Sequence, residues 1–249
     1  MRLSGRVAIV TGGSSDKGSA ISELLASEGV SVAINYLRSK EKAESILKKI
    51  EESGGRAMIC QADVTNKESV ESMVDATRKQ FGCVDILVNN VHGKICRKPF
   101  GETVWNEYEE NLHGAVKGAY NCCQSVLEEM KNKKWGRIIN VIDNIVNDPV
   151  SGYSSYITAQ SALIGLTRSL AVDLGLYGIT VNLINTGFTV TGKTPHAPLS
   201  VQEEITRQTP LKRLALPTDI AKALLFYASD WSDFVTGNCL IVDGGKAMH

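Results

Sequence analysis

Apolar residues along this chain follow two alternating spacings. They gather in short β-branched runs at RVAIVTG, VSVAINY, RAMICQADV, VDILVNN, GRIINVI, GITVNLIN and NCLIVDGG. Between these runs they return every three or four residues, the period of a helix with one apolar face. The helical stretches are GSAISELLASEG, SKEKAESILKKIEESG, NKESVESMVDATRKQFG, VWNEYEENLHGAVKGAYNCCQSVLEEMKNK and SGYSSYITAQSALIGLTRSLAVDL. Strands alternating with helices of this length predict parallel βαβ units joined by right-handed crossovers. Seven strands and their helices use up the 249 residues with no linker or repeat, so one doubly wound α/β domain over 1–249 is expected. The least regular stretch, 188–213, holds three of the six prolines. A long loop off the carboxyl end of a strand overlies the ligand crevice of such a fold, so 188–213 reads as a substrate lid.

Charge and composition narrow the function classes. Lys+Arg and Asp+Glu both total 27, and this balance leaves no basic face for nucleic acid. No 18-residue apolar run predicts a membrane span. The opening MRLSGRVAIV is too short and too soon polar for a signal peptide, so a cytoplasmic protein is expected. The six cysteines (Cys60, Cys83, Cys96, Cys122, Cys123 and Cys239) contain no C-x-x-C pair and no metal-ligand spacing, which predicts packed thiols and no metal site.

Candidate chemistry begins at VAIVTGGSSDKGSAISELLASEG, a strand, a glycine-bearing turn and a helix. Gly12, Gly13 and Gly18 let the backbone turn tightly and bring amides toward a pyrophosphate at a helix N-terminus. Asp63 follows the third strand, and Asn89 and Asn90 end the fourth.

With TGGSSDKG stand ADV, DILVNN, the Asn of ENLHGA, GRIIN, YITAQSALIGLTRSLA, GITVNLINTG and VDGG. On these motifs the chain resembles the short-chain dehydrogenase/reductases over essentially its whole length, and in particular their 3-oxoacyl-[acyl-carrier-protein] reductases. The resemblance implies a Rossmann domain with a seven-stranded parallel sheet in the order 3-2-1-4-5-6-7. It places Thr11, Gly12, Ser14, Ser15, Asp16 and Gly18 at the cofactor phosphates. Asp63 and Val64 fall at the adenine, Asn90 and Val91 at the ribose, and Gly187 and Thr191 at the nicotinamide end. Members that prefer NAD end the second strand with an acidic residue for the ribose 2′-hydroxyl. Here Tyr36 stands there, followed by Leu37, Arg38 and Ser39, and a cation without a carboxylate favours NADP(H) over NAD(H). A small-molecule or acyl-carrier-bound substrate is implied. So is a homodimer or homotetramer, built by the helices at 103–134 and 153–175 with Ala159, Ser161 and Ala162 allowing close approach.

Several positions depart from the family pattern. Asp16 replaces a glycine of the phosphate turn, where its carboxylate could cap the helix. Val91 and His92 stand where small residues belong, and Thr186 precedes Gly187 where the family has proline. The family's catalytic set is an Asn, a Ser, a Tyr thirteen residues after the Ser and a Lys four after the Tyr. Asn111 and Tyr156 match, but the Ser position is Asp143 and the Lys position is Gln160. In the enoyl reductases the Tyr–Lys spacing is seven, and Tyr153 stands seven before Gln160, again without the Lys.

These two exchanges change the expected pocket charge by about −2, so Tyr156 should hold its proton more tightly than usual. A buried Asp143 with a raised pKa, together with Tyr156 and His92, could then serve as general acid or base. Three readings follow: an atypical NADP(H)-dependent reductase of a carbonyl or enoyl group, taken first; a non-redox isomerase, lyase or cyclase using Asp143 and Tyr156; and a non-catalytic partner of an active homologue.

Overall fold

The computed structural model describes every residue except 1, 2, 94, 96, 193, 195, 196 and 249. Cys96 and part of the expected lid (Lys193, Pro195 and His196) therefore lie outside the described residues.

The seven apolar runs form one parallel sheet. Its strands are β1 (Val7–Val10), β2 (Ser31–Tyr36), β3 (Arg56–Gln61), β4 (Ile86–Asn89), β5 (Gly136–Asp143), β6 (Ile179–Thr186) and β7 (Cys239–Val242). Their spatial order is β3-β2-β1-β4-β5-β6-β7, as expected. Every residue of β1, β2, β4 and β6 is buried. A parallel strand covered on both faces needs apolar side chains on both, which is why these runs are continuous and not alternating.

Helices cover the two faces. On one, α1 (Asp16–Ser27) and α8 (Pro217–Ala228) bury Ile21, Leu25, Ile220 and Leu224 against β1, β4 and β5. On the other, α3 (Lys67–Phe81) and α5 (Gly118–Lys133) contribute Val70, Val74, Val126 and Met130. Cys60, Cys122 and Cys123 lie in this second core, consistent with packed thiols. The remaining helices are α2 (Lys40–Glu52), α4 (Trp105–Leu112), α6 (Ser154–Leu174) and α7 (Leu199–Gln208).

Three sequence expectations need correction. The long stretch from 104 to 133 is interrupted by a π-helical turn at His113–Lys117 between α4 and α5, just beyond Asn111 and Leu112 of α4. A one-residue insertion of this kind leaves the apolar period almost intact, so periodicity alone does not reveal it. The 188–213 stretch is not all loop, because α7 occupies ten of its residues. Ala159 also faces inward, against Ala115, Ala119, Ile142, Leu163 and Leu183, and cannot line a contact between helices of two subunits; Ser161 is exposed.

The strand order reverses between β1 and β4, which opens a crevice beyond their carboxyl ends. Thr11, Asn90 and Asp143 lie at the ends of β1, β4 and β5, and Thr186 of β6 pairs in register with Asp143.

Candidate active site

The turn between β1 and α1 is held from three sides. Gly12 has φ +59°, and its N–H donates to Asn35 Oδ1 at 3.1 Å. The Gly13 N–H donates to the Asn35 carbonyl at 2.8 Å. The Asn90 amide donates to the carbonyls of Thr11 (3.1 Å) and Gly12 (3.2 Å) and to Ser15 Oγ (3.2 Å). Gly18 admits no side chain, since a Cβ there would lie 2.3 Å from the Gly12 carbonyl oxygen.

These constraints shape a concave backbone turn at the N-terminus of α1, the arrangement that suits a pyrophosphate. Buried Asn90 Oδ1 finds no donor among the described residues, so an acceptor remains for a ribose hydroxyl. At its phosphate and ribose end, then, the crevice fits a dinucleotide.

Asp16 does not cap α1. Ser15 does, accepting from the Gly18 N–H at 3.2 Å, while Asp16 Oδ2 accepts from the Gly192 N–H at 3.1 Å, across the crevice in the 188–213 segment. Ser14 is half-buried at the rim. At the end of β2, Tyr36 is buried and Arg38 and Ser39 are exposed. Asp63 Oδ1 accepts from the backbone and hydroxyl of Thr65, both at 2.8 Å. Val64 is buried, and its carbonyl accepts from Asn121 at 2.9 Å. Val91 lines the crevice beside Gly12. Gly187 lies where a Cβ would meet Asp243 at 2.8 Å, and the Thr191 N–H donates to Thr194 Oγ1 at 2.6 Å.

The departures from the family pattern converge on one cluster. Tyr156 donates its hydroxyl proton to Asp143 Oδ2. Asp143 Oδ1 accepts from Lys17 Nζ at 2.7 Å and from Thr186 Oγ1 at 3.0 Å, and Lys17 Nζ also lies 3.2 Å from Thr186 Oγ1. Gln160 is fully buried; its Oε1 accepts from the Asp143 N–H at 3.2 Å, which turns its amide nitrogen toward His92 Nδ1 at 3.4 Å. Asn111 stands one step away, its amide donating to the Glu107 carbonyl at 2.9 Å and to Ser155 Oγ at 3.3 Å. Tyr153 adds a repulsive interaction with any negative charge on Tyr156.

Lys17 changes the electrostatics inferred from sequence. The expected change of about −2 omitted this cation, which reaches Asp143 from 126 residues away and neutralises it. Burial alone would raise the Asp143 pKa. The Lys17 charge, a smaller electrostatic contribution from His92, and the hydrogen bonds from Lys17 and Tyr156 outweigh it and hold the carboxyl well below the usual carboxylate range. The expectation of a raised Asp143 pKa is thus overturned, and with it Asp143 as a general acid near neutral pH. For Tyr156, burial first, then the Asp143 charge and hydrogen bond, push the phenol well above its ordinary value. The cluster is therefore an ion pair closed over a neutral phenol.

Two contributors escaped sequence reading. Asn35 is the second-last residue of β2, and its only sequence signal is a buried amide in an otherwise apolar run. Lys17 is visible only as a lysine inside the phosphate turn. A buried carboxylate demands a cation, and this was the available hint.

The chain can be placed among known proteins from this geometry. The family described as Enoyl-(Acyl carrier protein) reductase matches residues 16–247. A 3-oxoacyl-[acyl-carrier-protein] reductase of Staphylococcus aureus is 36% identical over 243 residues, covering 97% of this chain and 98% of the relative. The (2S)-[(R)-hydroxy(phenyl)methyl]succinyl-CoA dehydrogenase subunit of Thauera aromatica is 35% identical, over 100% and 99% of the two chains. A 7α-hydroxysteroid dehydrogenase solved with NADH and 7-oxo glycochenodeoxycholic acid superposes with a TM-score of 0.94 at 30% identity, covering 100% of this chain and 96% of its own. The chain thus belongs to the short-chain dehydrogenase/reductase family and is similar to its 3-oxoacyl-[acyl-carrier-protein] reductases.

Proposed function

We propose that the protein is an NADP(H)-dependent reductase acting on a carbonyl group of a small or acyl-carrier-bound intermediate, with Tyr156 as its proton donor. The observation that carries this reading is the Tyr156 phenol, kept protonated at the crevice edge and hydrogen-bonded to an ionised Asp143. The relatives named for carbonyl and alcohol chemistry over nearly the full chain support it, as does the neighbour solved with NADH.

Thr11, Gly12, Ser15 and Gly18 would hold the phosphates of NADPH, and Asn90 Oδ1 would accept from a ribose hydroxyl. The hydride for the carbonyl carbon would come from that cofactor when bound. As negative charge grows on the substrate oxygen, that oxygen becomes a better acceptor than the Asp143 carboxylate, and Tyr156 delivers its proton there. Lys17 offsets the Asp143 charge, so the oxygen does not face an unpaired anion. Buried Gln160 fixes the backbone of Asp143 and donates toward His92, but brings no cation. Asn111 braces the start of α6 through Ser155. The 188–213 segment, tied to the phosphate turn by the Asp16–Gly192 bond, acts as the substrate lid.

Cofactor choice rests on the end of β2, where exposed Arg38 stands without an adjacent carboxylate. Calorimetry should show NADPH binding tighter than NADH, and Arg38→Ala should weaken NADPH about tenfold while sparing NADH, the size of one exposed charge-assisted contact. Tighter NADH binding, or an Arg38→Ala variant with NADPH affinity intact, would remove the preference.

One observation favours the reading as a non-catalytic subunit: Asp16 and Lys17, the first two residues of α1 beside the phosphate turn, already have partners in Gly192 and Asp143. The Thauera relative is itself named as a subunit. Absence of binding for both nucleotides in the same calorimetry would select that reading. The non-redox alternative is disfavoured, because an Asp143 held ionised by Lys17 has no proton to give at neutral pH and, paired with that ammonium, is a weak base.

A further inference from the structure

We propose that Lys17 is a positioning residue of the active site: from the first turn of α1 it fixes the Asp143 carboxylate against Tyr156, so that the phosphate turn supplies the cation α6 lacks. The inference deepens the reductase reading and rests on it for its kinetic part. Its geometric part stands alone.

Lys17 is the second residue of α1, directly after the turn that cradles the phosphates, yet its ammonium is not in the turn. It extends to β5 and β6, 2.7 Å from Asp143 Oδ1 and 3.2 Å from Thr186 Oγ1. Its side chain is 13% exposed, too enclosed for an ordinary solvated lysine. Each element packed around Asp143 contributes at least one group: Lys17 from α1, His92 after β4, Thr186 from β6, and both Tyr156 and Gln160 from α6. Asp243, beyond β7, is turned away to Asn144. Among the described residues Lys17 is therefore the cation that touches this carboxylate, with the His92 ring close enough to add to the electrostatics.

The geometry couples two tasks. Lys17 holds one carboxylate oxygen, and the other receives the Tyr156 proton. Without the ammonium, a half-buried Asp143 would take up a proton at higher pH and turn from acceptor to possible donor toward Tyr156. The structure thus links the nucleotide turn to the proton donor through a single side chain.

The test uses the full-length protein with Asp residues labelled at 13Cγ, Asp143→Asn assigning the Asp143 signal. In the wild type the Asp143 carboxyl should stay ionised down to at least about pH 4. Lys17→Met and Lys17→Gln should each raise its midpoint by about two pH units or more, a hundredfold in proton affinity, and Lys17→Arg should return it toward wild type. The same midpoint should appear as a new step in the pH profile of NADPH-linked reduction by the Met and Gln variants. An unchanged midpoint in both neutral variants would overturn the assignment. A shifted midpoint with no step in an active enzyme's profile would reduce Lys17 to a structural ion pair and overturn its positioning role. A shifted midpoint in a protein that never oxidises NADPH would leave Lys17's hold on Asp143 standing and sink the reductase reading instead.

Discussion

Tyr156→Phe is expected to lower NADPH-dependent carbonyl reduction by about a thousandfold, within the range that a positioned general acid contributes. The loss should fall on kcat, with nucleotide affinity nearly unchanged, because the phenol oxygen contacts Asp143 and no part of the phosphate turn. The substitution removes one hydroxyl from a ring that is 2% exposed, and Asp143 keeps Lys17 and Thr186 as partners, so folding should survive. Stopped-flow measurement of NADPH oxidation against a panel of ketones and 3-oxoacyl thioesters checks it. A Phe variant that keeps most of its rate would exclude Tyr156 as the proton donor.

Asp143→Asn should act in the opposite sense. It removes the anion that holds the Tyr156 proton and leaves the Lys17 cation in the same cluster, so the Tyr156 pKa should fall. Alcohol oxidation needs the phenolate as base and should rise about a hundredfold near pH 8, while ketone reduction at neutral pH is retained. Difference absorbance of phenolate formation, with Tyr156→Phe subtracted, follows the ionisation directly. If Asp143 were itself the acid–base residue of a non-redox enzyme, the native reaction would disappear in this variant. Lys17 also changes what a repair of the family pattern would need. Gln160→Lys is no longer required to bring in a cation, so replacing Asp143 alone should have most of the effect.

How much of this was legible before the structure depended on the range of the interaction. The seven strands follow from local signals, since β1, β2, β4 and β6 are apolar on both faces and the intervening stretches are amphipathic, whereas their order follows from the family resemblance. Tyr156, Gln160 and Asp143 stand at positions marked by the spacing of the family's catalytic set, and the structure brings all three together. Lys17 was not found, because nothing in TGGSSDKG says that its lysine reaches a strand 126 residues later. That omission removed the largest of the contributions that lower the Asp143 pKa. Asp16 was assigned to the wrong partner for a related reason: Ser15 already caps α1, and the Asp16 carboxylate turns to a backbone amide in a distant loop. The π-helical turn after Asn111 and the inward face of Ala159 were hidden because each leaves the apolar period unchanged.

The most direct test of a protonated Tyr156 locked by the Lys17–Asp143 pair is the pH dependence of both reaction directions on the wild-type enzyme, between pH 6 and about pH 10. Below its pKa a phenol stays available as donor, while its phenolate fraction grows about tenfold for each pH unit. The expected result is therefore a reduction rate, per encounter of enzyme and ketone, that stays flat to the alkaline limit. Oxidation of the matching alcohol should climb about tenfold per unit without reaching a plateau. A reduction rate that falls with a midpoint between pH 6 and pH 9, with oxidation levelling off at the same midpoint, would show an easily ionised Tyr156 and contradict the charge arrangement of this site.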